Sequence, residues 1–254
     1  INTPEVKQRA VVFHRTGGWT DAGSRGYQLL IEEGRLSASL IHFWPGNAVS
    51  VRTCEPIPTG EWLHVVVTND GSSRADGLRI SINGRPAECD VVRDQLTKNI
   101  TGGGGDNVAI GARNRDRGFT HGLVDDFQVF DRRLTPIEIA QLHDGHSLAD
   151  ALQNPADELP DEQADALFEY YLANVDEEYR QQLAALRTVR EERSGAVDDV
   201  AEIMVMRELA ERRPTFLLKR GAYDAPTDPV SPDTPAVFPA FPDDGQRDRL
   251  GFAQ

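Results

Sequence analysis

The stretch GEWLHVVVTNDGS (60–72) and its continuation GLRISINGRPAE (77–88) set the reading of the whole chain. Within them WLHVVVTN (62–69) and GLRISIN (77–83) are short apolar-rich runs bounded by turn residues, which is the pattern of strands. In the second run Leu78, Ile80 and Ile82 share one side, and Arg79 and Ser81 share the other. The first three are therefore expected in a core and the other two in water. Asn83-Gly84 tolerates positive φ at both central positions of a tight hairpin, and Glu33-Gly34 suits a similar connection upstream. Working outward, RAVVFHR (9–15), YQLLIE (27–32), RLSASLIHF (35–43), AVSVRT (48–53), PAECDVV (86–92), NVAIGA (107–112) and GLVDDFQVF (122–130) repeat the pattern. The stretch from 9 to 130 is predicted to be an all-β meander.

The period changes downstream. Thr135 reads as an N-cap, with Pro136 at the first helical position and Glu138 placed to complete a capping box. Ile137, Ile139, Ala140 and Leu142 follow on a short helix that ends near Gly145. From Asp161, Leu167, Tyr170, Tyr171, Val175, Tyr179, Leu183 and Leu186 recur at helical spacing. They predict one or two amphipathic helices over 161–194, with any break near Asn174-Val175-Asp176 and Asp176 as the second cap. AEIMVMREL (201–209) and RPTFLLKRGAY (213–223) read as short extended segments. Pro226, Pro229, Pro232, Pro235, Pro239 and Pro242 then argue against regular sheet or helix.

The strand and helix texts resemble the second half of a laminin-G-like, concanavalin A-like β-sandwich. The residues that carry the resemblance are Trp62, His64, Asn83, Gly84, Gly122, Asp125, Leu134, Thr135, Glu138 and Ile139. The fold implied is an all-β, antiparallel jelly-roll sandwich over 1–146, followed by an α-helical connector (147–200). An extended Pro-rich linker (201–254) would lead to a C-terminal domain absent here. The sandwich's earliest strands have no room before Ile1, so the chain reads as an internal fragment. ELAERRPTFLLKRGAYDAPTDPVSPDTPAVFP (208–239) and RDRLGFA (247–253), with the loops TGGWTDAGSRGYQ (16–28), LIHFWPGNAV (40–49) and ARNRDRGF (112–119), resemble a subfamily. Its members are large planctomycete proteins that join a cytochrome-c-like module to domains of uncharacterised function and an inserted laminin-G-like domain. That resemblance implies an exported, extracytoplasmic parent protein whose neighbouring domains are partners of this segment.

Composition limits the function classes. The chain carries a net charge of −14. Residues 1–150 hold 16 basic and 19 acidic side chains, against 11 and 22 in the remainder, so most of the acidity lies outside the sandwich. This balance repels phosphate backbones and anionic lipid, and no nucleic-acid partner is expected. No apolar run approaches the ~20 residues that span a bilayer, so no membrane span is expected in this segment. Cys54 and Cys89 form no Cys-x-x-Cys or Cys-x-x-Cys-His pattern, which leaves no local zinc site and no covalent haem in this segment. A Cys54–Cys89 disulfide and two separate thiols both stay open.

Two loops are rich in groups that contact sugars: Trp19, Asp21, Ser24 and Arg25 in the first, His42, Phe43, Trp44 and Asn47 in the second. An aromatic ring stacks on the apolar face of a pyranose while carboxylate, amide and guanidinium groups bond its hydroxyls. Arg113, Arg115, Asp116 and Arg117 in a third loop suit an anionic group on such a glycan. The competing reading is that Trp19 and Trp44 plug the sandwich and that Asp21–Arg25 and Asp116–Arg pairs lock the loops. For a metal, the resemblance implies a calcium ion with Asp125 as a ligand; Asp70 and Asp76 form a second acidic cluster. The nearest approach to a glucanase motif, Glu88-Cys89-Asp90-Val91-Val92-Arg93, has Arg where the second catalytic Glu would stand. The expectation is therefore a non-catalytic carbohydrate-recognition module, with a structural module that positions neighbouring domains as the alternative.

Overall fold

The computed structural model describes residues 1–18, 25–102, 107–155, 159–201, 203, 209, 211–235, 237–238, 241, 245 and 247–253. The chain divides into two compact units, Ile1–Val200 and Ala201–Gln254.

The first unit opens with β1 (Arg9–Arg15), β2 (Gly26–Glu32), β3 (Arg35–Phe43) and β4 (Asn47–Thr53). It continues with β5 (Val65–Asn69), β6 (Leu78–Ile82), β7 (Arg85–Pro86), β8 (Cys89–Asp94) and β9 (Ala109–Ile110). They assemble into two antiparallel sheets, one of six strands in the order β8-β4-β3-β2-β1-β9 and one of three in the order β5-β6-β7. Glu33-Gly34 and Asn83-Gly84 both take positive φ at their two central positions, which matches the twist of the strands they join. A single apolar cluster draws Ala10, Val12, Leu29, Ile31, Leu36, Ala38, Val49 and Val51 from the large sheet and Leu78 and Ile80 from the small one. The two sheets thus bury their apolar faces against each other, each large side chain contributing roughly 1.5–3 kcal/mol.

Several expected strands are shorter than the sequence pattern suggests. The 62–69 run begins its ladder at Val65, 86–92 resolves into β7 and β8, and 107–112 narrows to β9. The run 122–130 forms no strand beyond one bridge, Asn2 to Leu123. A strand exists only through its neighbour, and past Leu123 this segment joins no ladder among the described strands.

Among the described residues four α-helices complete the unit: α1 (Pro136–Asp144), α2 (Ser147–Gln153), α3 (Asp161–Asn174) and α4 (Glu177–Asp198). The Thr135 N–H donates to Glu138 Oε2 at 2.8 Å, closing the capping box, and Gly145 ends α1 in the left-handed region. α1 covers the outer face of the small sheet, so Ser81, expected in water, is buried beside Thr68 and Arg79 against Leu134 and Ile139. Gly84 belongs to this contact, because a Cβ there would stand 3.2 Å from the Ala140 backbone. Asp176 caps α4 by accepting the Tyr179 N–H at 2.7 Å. Two cations strap α4 to the strands: Arg190 Nη1 donates to the Asp70 carbonyl at 2.7 Å, and buried Lys98 donates to the carbonyls of Asp198 (3.1 Å) and Val200.

The second unit contains a hairpin, β10 (Thr215–Leu218) with β11 (Pro226–Val230), and the short α5 (Arg249–Ala253). This corrects the expectation that the prolines exclude sheet: Pro229 sits opposite Phe216 and Pro226 opposite Leu218. Both strands of a two-stranded ribbon are edges, where a residue without an N–H is tolerated. Most of 201–209, and Pro239 and Pro242, lie outside the described residues.

Candidate functional site

Alternation gives the six-stranded sheet a second face. The core takes one phase of β1–β4; the other phase carries Arg9, Val11, Gln28, Leu30, Glu32, Ser37, Ser39, Ser50 and Arg52. The register aligns these into rows, since residues directly opposite in a ladder share a face. One row runs Val11, Leu30, Ser37, Arg52; the next runs His14, Gln28, Ser39, Ser50, Arg93; Arg9 stands opposite Glu32. The middle of this face is paved with serines, and Ser39 Oγ donates to Ser50 Oγ at 2.9 Å. Small side chains leave space above them, a cavity of about 180 Å³ lined by Arg9, Gln28, Leu30, Glu32, Ser37, Ser39 and Trp44.

Trp44 comes from the turn between β3 and β4. Its ring is half-buried, lines the cavity and has the Arg93 guanidinium 5.6 Å from its centroid. His42 and Asn47, expected to touch a ligand, instead anchor this turn. His42 is buried with Nδ1 2.6 Å from the Asn99 carbonyl, and Asn47 donates to Thr97 Oγ1 at 2.8 Å while accepting the Thr97 N–H at 3.0 Å. Both ends of the turn are thereby tied to residues 97–99, and the indole is held in place. A buried amide that satisfies backbone groups is a positioning element, because freeing it for a ligand would leave those groups unpaired.

Arg113 and Asp116, expected to bind an anion, also turn inward. Their side chains are fully buried and paired, with Arg113 Nε donating to Asp116 Oδ2 at 3.1 Å and Nη1 to Gln28 Oε1. Arg9 completes the cluster, donating to Asp116 at 2.8 and 3.0 Å and to Glu32 at 2.6 Å. Burial pushes the Asp116 carboxyl upward, but hydrogen bonds from Arg9, Arg113 and the Arg117 N–H outweigh it and hold the pKa at about 2. The loop 113–117 is therefore welded to β1 and β2, and the lock reading holds there. Arg115 is exposed with positive φ, and Arg25 is half-buried. Trp19, Asp21 and Ser24 lie outside the described residues.

Asp125 is exposed, and its Oδ1 accepts the Asp126 N–H at 2.9 Å. Asp70 takes the Ser72 N–H at 2.8 Å as a turn former. Among the described residues no three His, Cys, Asp or Glu side chains gather as they would around a metal, and no helix is long and apolar enough to cross a membrane. Cys54 and Cys89 are both free thiols, near the start of the β4–β8 ladder.

The cavity residues Arg9, Gln28, Glu32, Ser37 and Ser39 were missed by the sequence reading, which looked for ligand chemistry in loops. Their signal was present as a second strand phase richer in Ser and Gln than a bare solvent face requires.

No curated protein matches the chain. Among solved structures it is similar to an S-layer domain-containing protein (residues 221–444) from Clostridium thermocellum, at 17% identity over 56% of this chain, with a TM-score of 0.21. The match spans 66% of that solved chain, a likeness too slight to carry over any property. The family model for the concanavalin A-like lectin/glucanases superfamily matches residues 1–140. With two antiparallel sheets sharing one core, and with a polar-floored cavity on the large sheet, the chain belongs to the concanavalin A-like lectin/glucanases superfamily.

Proposed function

We propose that the strands form a laminin-G-like jelly roll that recognises carbohydrate without catalysis. A sugar ring would stack on Trp44 and bond its hydroxyls to Gln28, Ser37 and Ser39. The observation that carries this reading is the half-buried Trp44 standing beside a hydroxyl-lined cavity. Its volume of about 180 Å³ is below the ~300–1,000 Å³ of drug-sized sites, which fits one ring better than a chain. Arg9 is already matched by Glu32 and Asp116, and Arg113 by Asp116. This pairing favours a neutral sugar over the anionic one that the loop composition suggested. Calcium ligation by Asp125 has no supporting cluster among the described residues and plays no part in the proposal.

Tryptophan fluorescence titrations with neutral, carboxylated and sulfated glycans, with and without calcium, test the reading. Saturable quenching by neutral glycans, unchanged by calcium and abolished in Trp44→Ala, is expected. Absence of quenching by every glycan in a folded protein would refute it.

A domain-positioning role is the second reading. It is favoured by the apolar side chains that α3 and α4 leave in solvent, with Phe168 60% exposed and Val189 60% exposed. In this reading residues 147–200 are a helical connector and 201–254 a linker within a larger exported protein of the cytochrome-c-containing type. Truncation before Ser147 would then abolish association with neighbouring domains and leave glycan binding intact.

A further inference from the structure

The cavity on the large sheet is walled at both ends and along one flank. Trp44 belongs to the turn past Phe43, beyond the Gly26 end of β2, whereas Glu32 is the last residue of β2. The floor from Gln28 to Glu32 is roughly 13 Å long at ~3.3 Å per residue, so Trp44 and the Arg9–Glu32 pair stand at opposite ends of it. Along the β1 flank the buried side chains of Arg113 and Asp116 form a wall, Arg113 bonded to Gln28 and Asp116 to Arg9. Toward β4 the floor continues at the same level through Ser50, whose hydroxyl accepts from Ser39 at 2.9 Å. A groove that lets a polysaccharide run through needs two open sides, and among the described residues this cavity opens toward β4 alone.

Glu32 carries the chemistry of the closed corner. Its side chain is 30% exposed, and Oε1 accepts from Arg9 Nη1 at 2.6 Å. An ionised carboxylate has about four acceptor positions, so the bond to Arg9 leaves capacity for hydroxyl donors. Arg9 is itself fixed by Asp116 through Nε at 2.8 Å and Nη2 at 3.0 Å, which holds the Glu32 carboxylate in place. Two adjacent pyranose hydroxyls can both donate to one carboxylate, and such charge-assisted bonds are about twice as strong as neutral ones.

We propose that the cavity takes the non-reducing terminal ring of a neutral glycan, and that Glu32 selects this ring by accepting hydrogen bonds from its 3- and 4-hydroxyls. The inference rests on the carbohydrate reading above. The ring enters over β4 with its C4 edge foremost, and the rest of the glycan leaves from C1, the opposite edge, by the open side. An internal ring of a 1→4-linked chain has its neighbour on O4. That neighbour would meet the wall, and the hydroxyl that Glu32 reads would be gone.

The test is a set of tryptophan fluorescence titrations of the intact chain. The probes are the methyl β-glycosides of glucose, galactose and mannose, their 4-deoxy analogues, the β-1,4-linked tetrasaccharides, and the same tetrasaccharides 4-O-methylated on the terminal ring. For the sugar that binds, glycoside and tetrasaccharide are expected to have equal affinity, and either loss or methylation of the terminal 4-hydroxyl to weaken binding about tenfold or more. In Glu32→Gln the penalty for the 4-deoxy analogue should shrink to about twofold, because the group that reads the hydroxyl is gone. A methylated tetrasaccharide that binds as tightly as the free one overturns terminal recognition and leaves the carbohydrate reading standing. An unchanged 4-deoxy penalty in Glu32→Gln overturns the role of Glu32, and the wild-type comparisons stand without the variant. Absence of quenching by every probe in the folded protein overturns the carbohydrate reading and this inference with it.

Discussion

Asp116 concentrates most of the electrostatics of the large sheet in one carboxylate. It accepts hydrogen bonds from Arg9, Arg113 and the Arg117 backbone with its side chain out of solvent. Removing its charge leaves two guanidiniums without their main partner, so Asp116→Asn is expected to cost roughly 3–5 kcal/mol in urea denaturation. Because its folded pKa of about 2 lies below the unfolded value, its contribution is complete above pH ~4. It declines as pH falls toward 2, and the acid limb of the wild-type stability curve should flatten in the variant. His64 gives a second, milder dependence. Its Nδ1 is buried without a partner, its ring stacks on His143 at 5.6 Å, and burial, then the neighbouring His143 charge, depress its pKa. The unfolded chain takes up a proton that folded His64 resists, so stability should fall as pH drops below ~6.5, and less steeply in His64→Gln. An identical slope in the two proteins would remove His64 from the account.

Among the elements, α1 was the most legible from sequence. Thr135, Pro136, Glu138 and Gly145 occupy their expected capping positions because caps depend on local spacing alone. Glu138 is held further by Arg132, whose Nη2 donates at 2.6 Å. Thr135→Ala should therefore lower stability by about 0.5–2 kcal/mol in thermal melts. Gly84→Ala should lower it too, by about 1–3 kcal/mol, because that residue has positive φ and Ala140 already fills the space a methyl would need; a neutral result would mean that α1 does not lie on the turn. Gly122 is fixed by packing instead: an ideal Cβ there would come within 2.4 Å of the Phe119 ring. The run 122–130 shows where local reading stops. Leu123, Phe127 and Val129 alternate as in any strand, but a ladder is decided by what lies alongside, and sequence spacing does not encode the neighbour.

At the scale of the molecule, the sheets, hairpins and helices follow from periodicity and turn chemistry, whereas the cavity follows from register. Gln28, Ser37 and Ser39 meet only because β2 and β3 align in this register. Arg113 and Asp116 looked like ligand groups for the converse reason, since a charged loop reads the same whether it faces solvent or folds onto the sheet. Long-range straps were equally invisible: Lys98 and Asp198 are a hundred residues apart in sequence. Lys98→Met should free the end of α4, lowering stability by about 1–3 kcal/mol and opening a proteolytic site near Val200 while glycan binding persists. The central claim is that the polar face of the six-stranded sheet holds a sugar ring against Trp44, and NMR shift mapping during titration with a neutral glycan tests it most directly. The account predicts saturable shifts confined to the Trp44 indole and the amides of Gln28, Leu30, Ser37 and Ser39; saturable shifts elsewhere, with those signals unmoved, would contradict it.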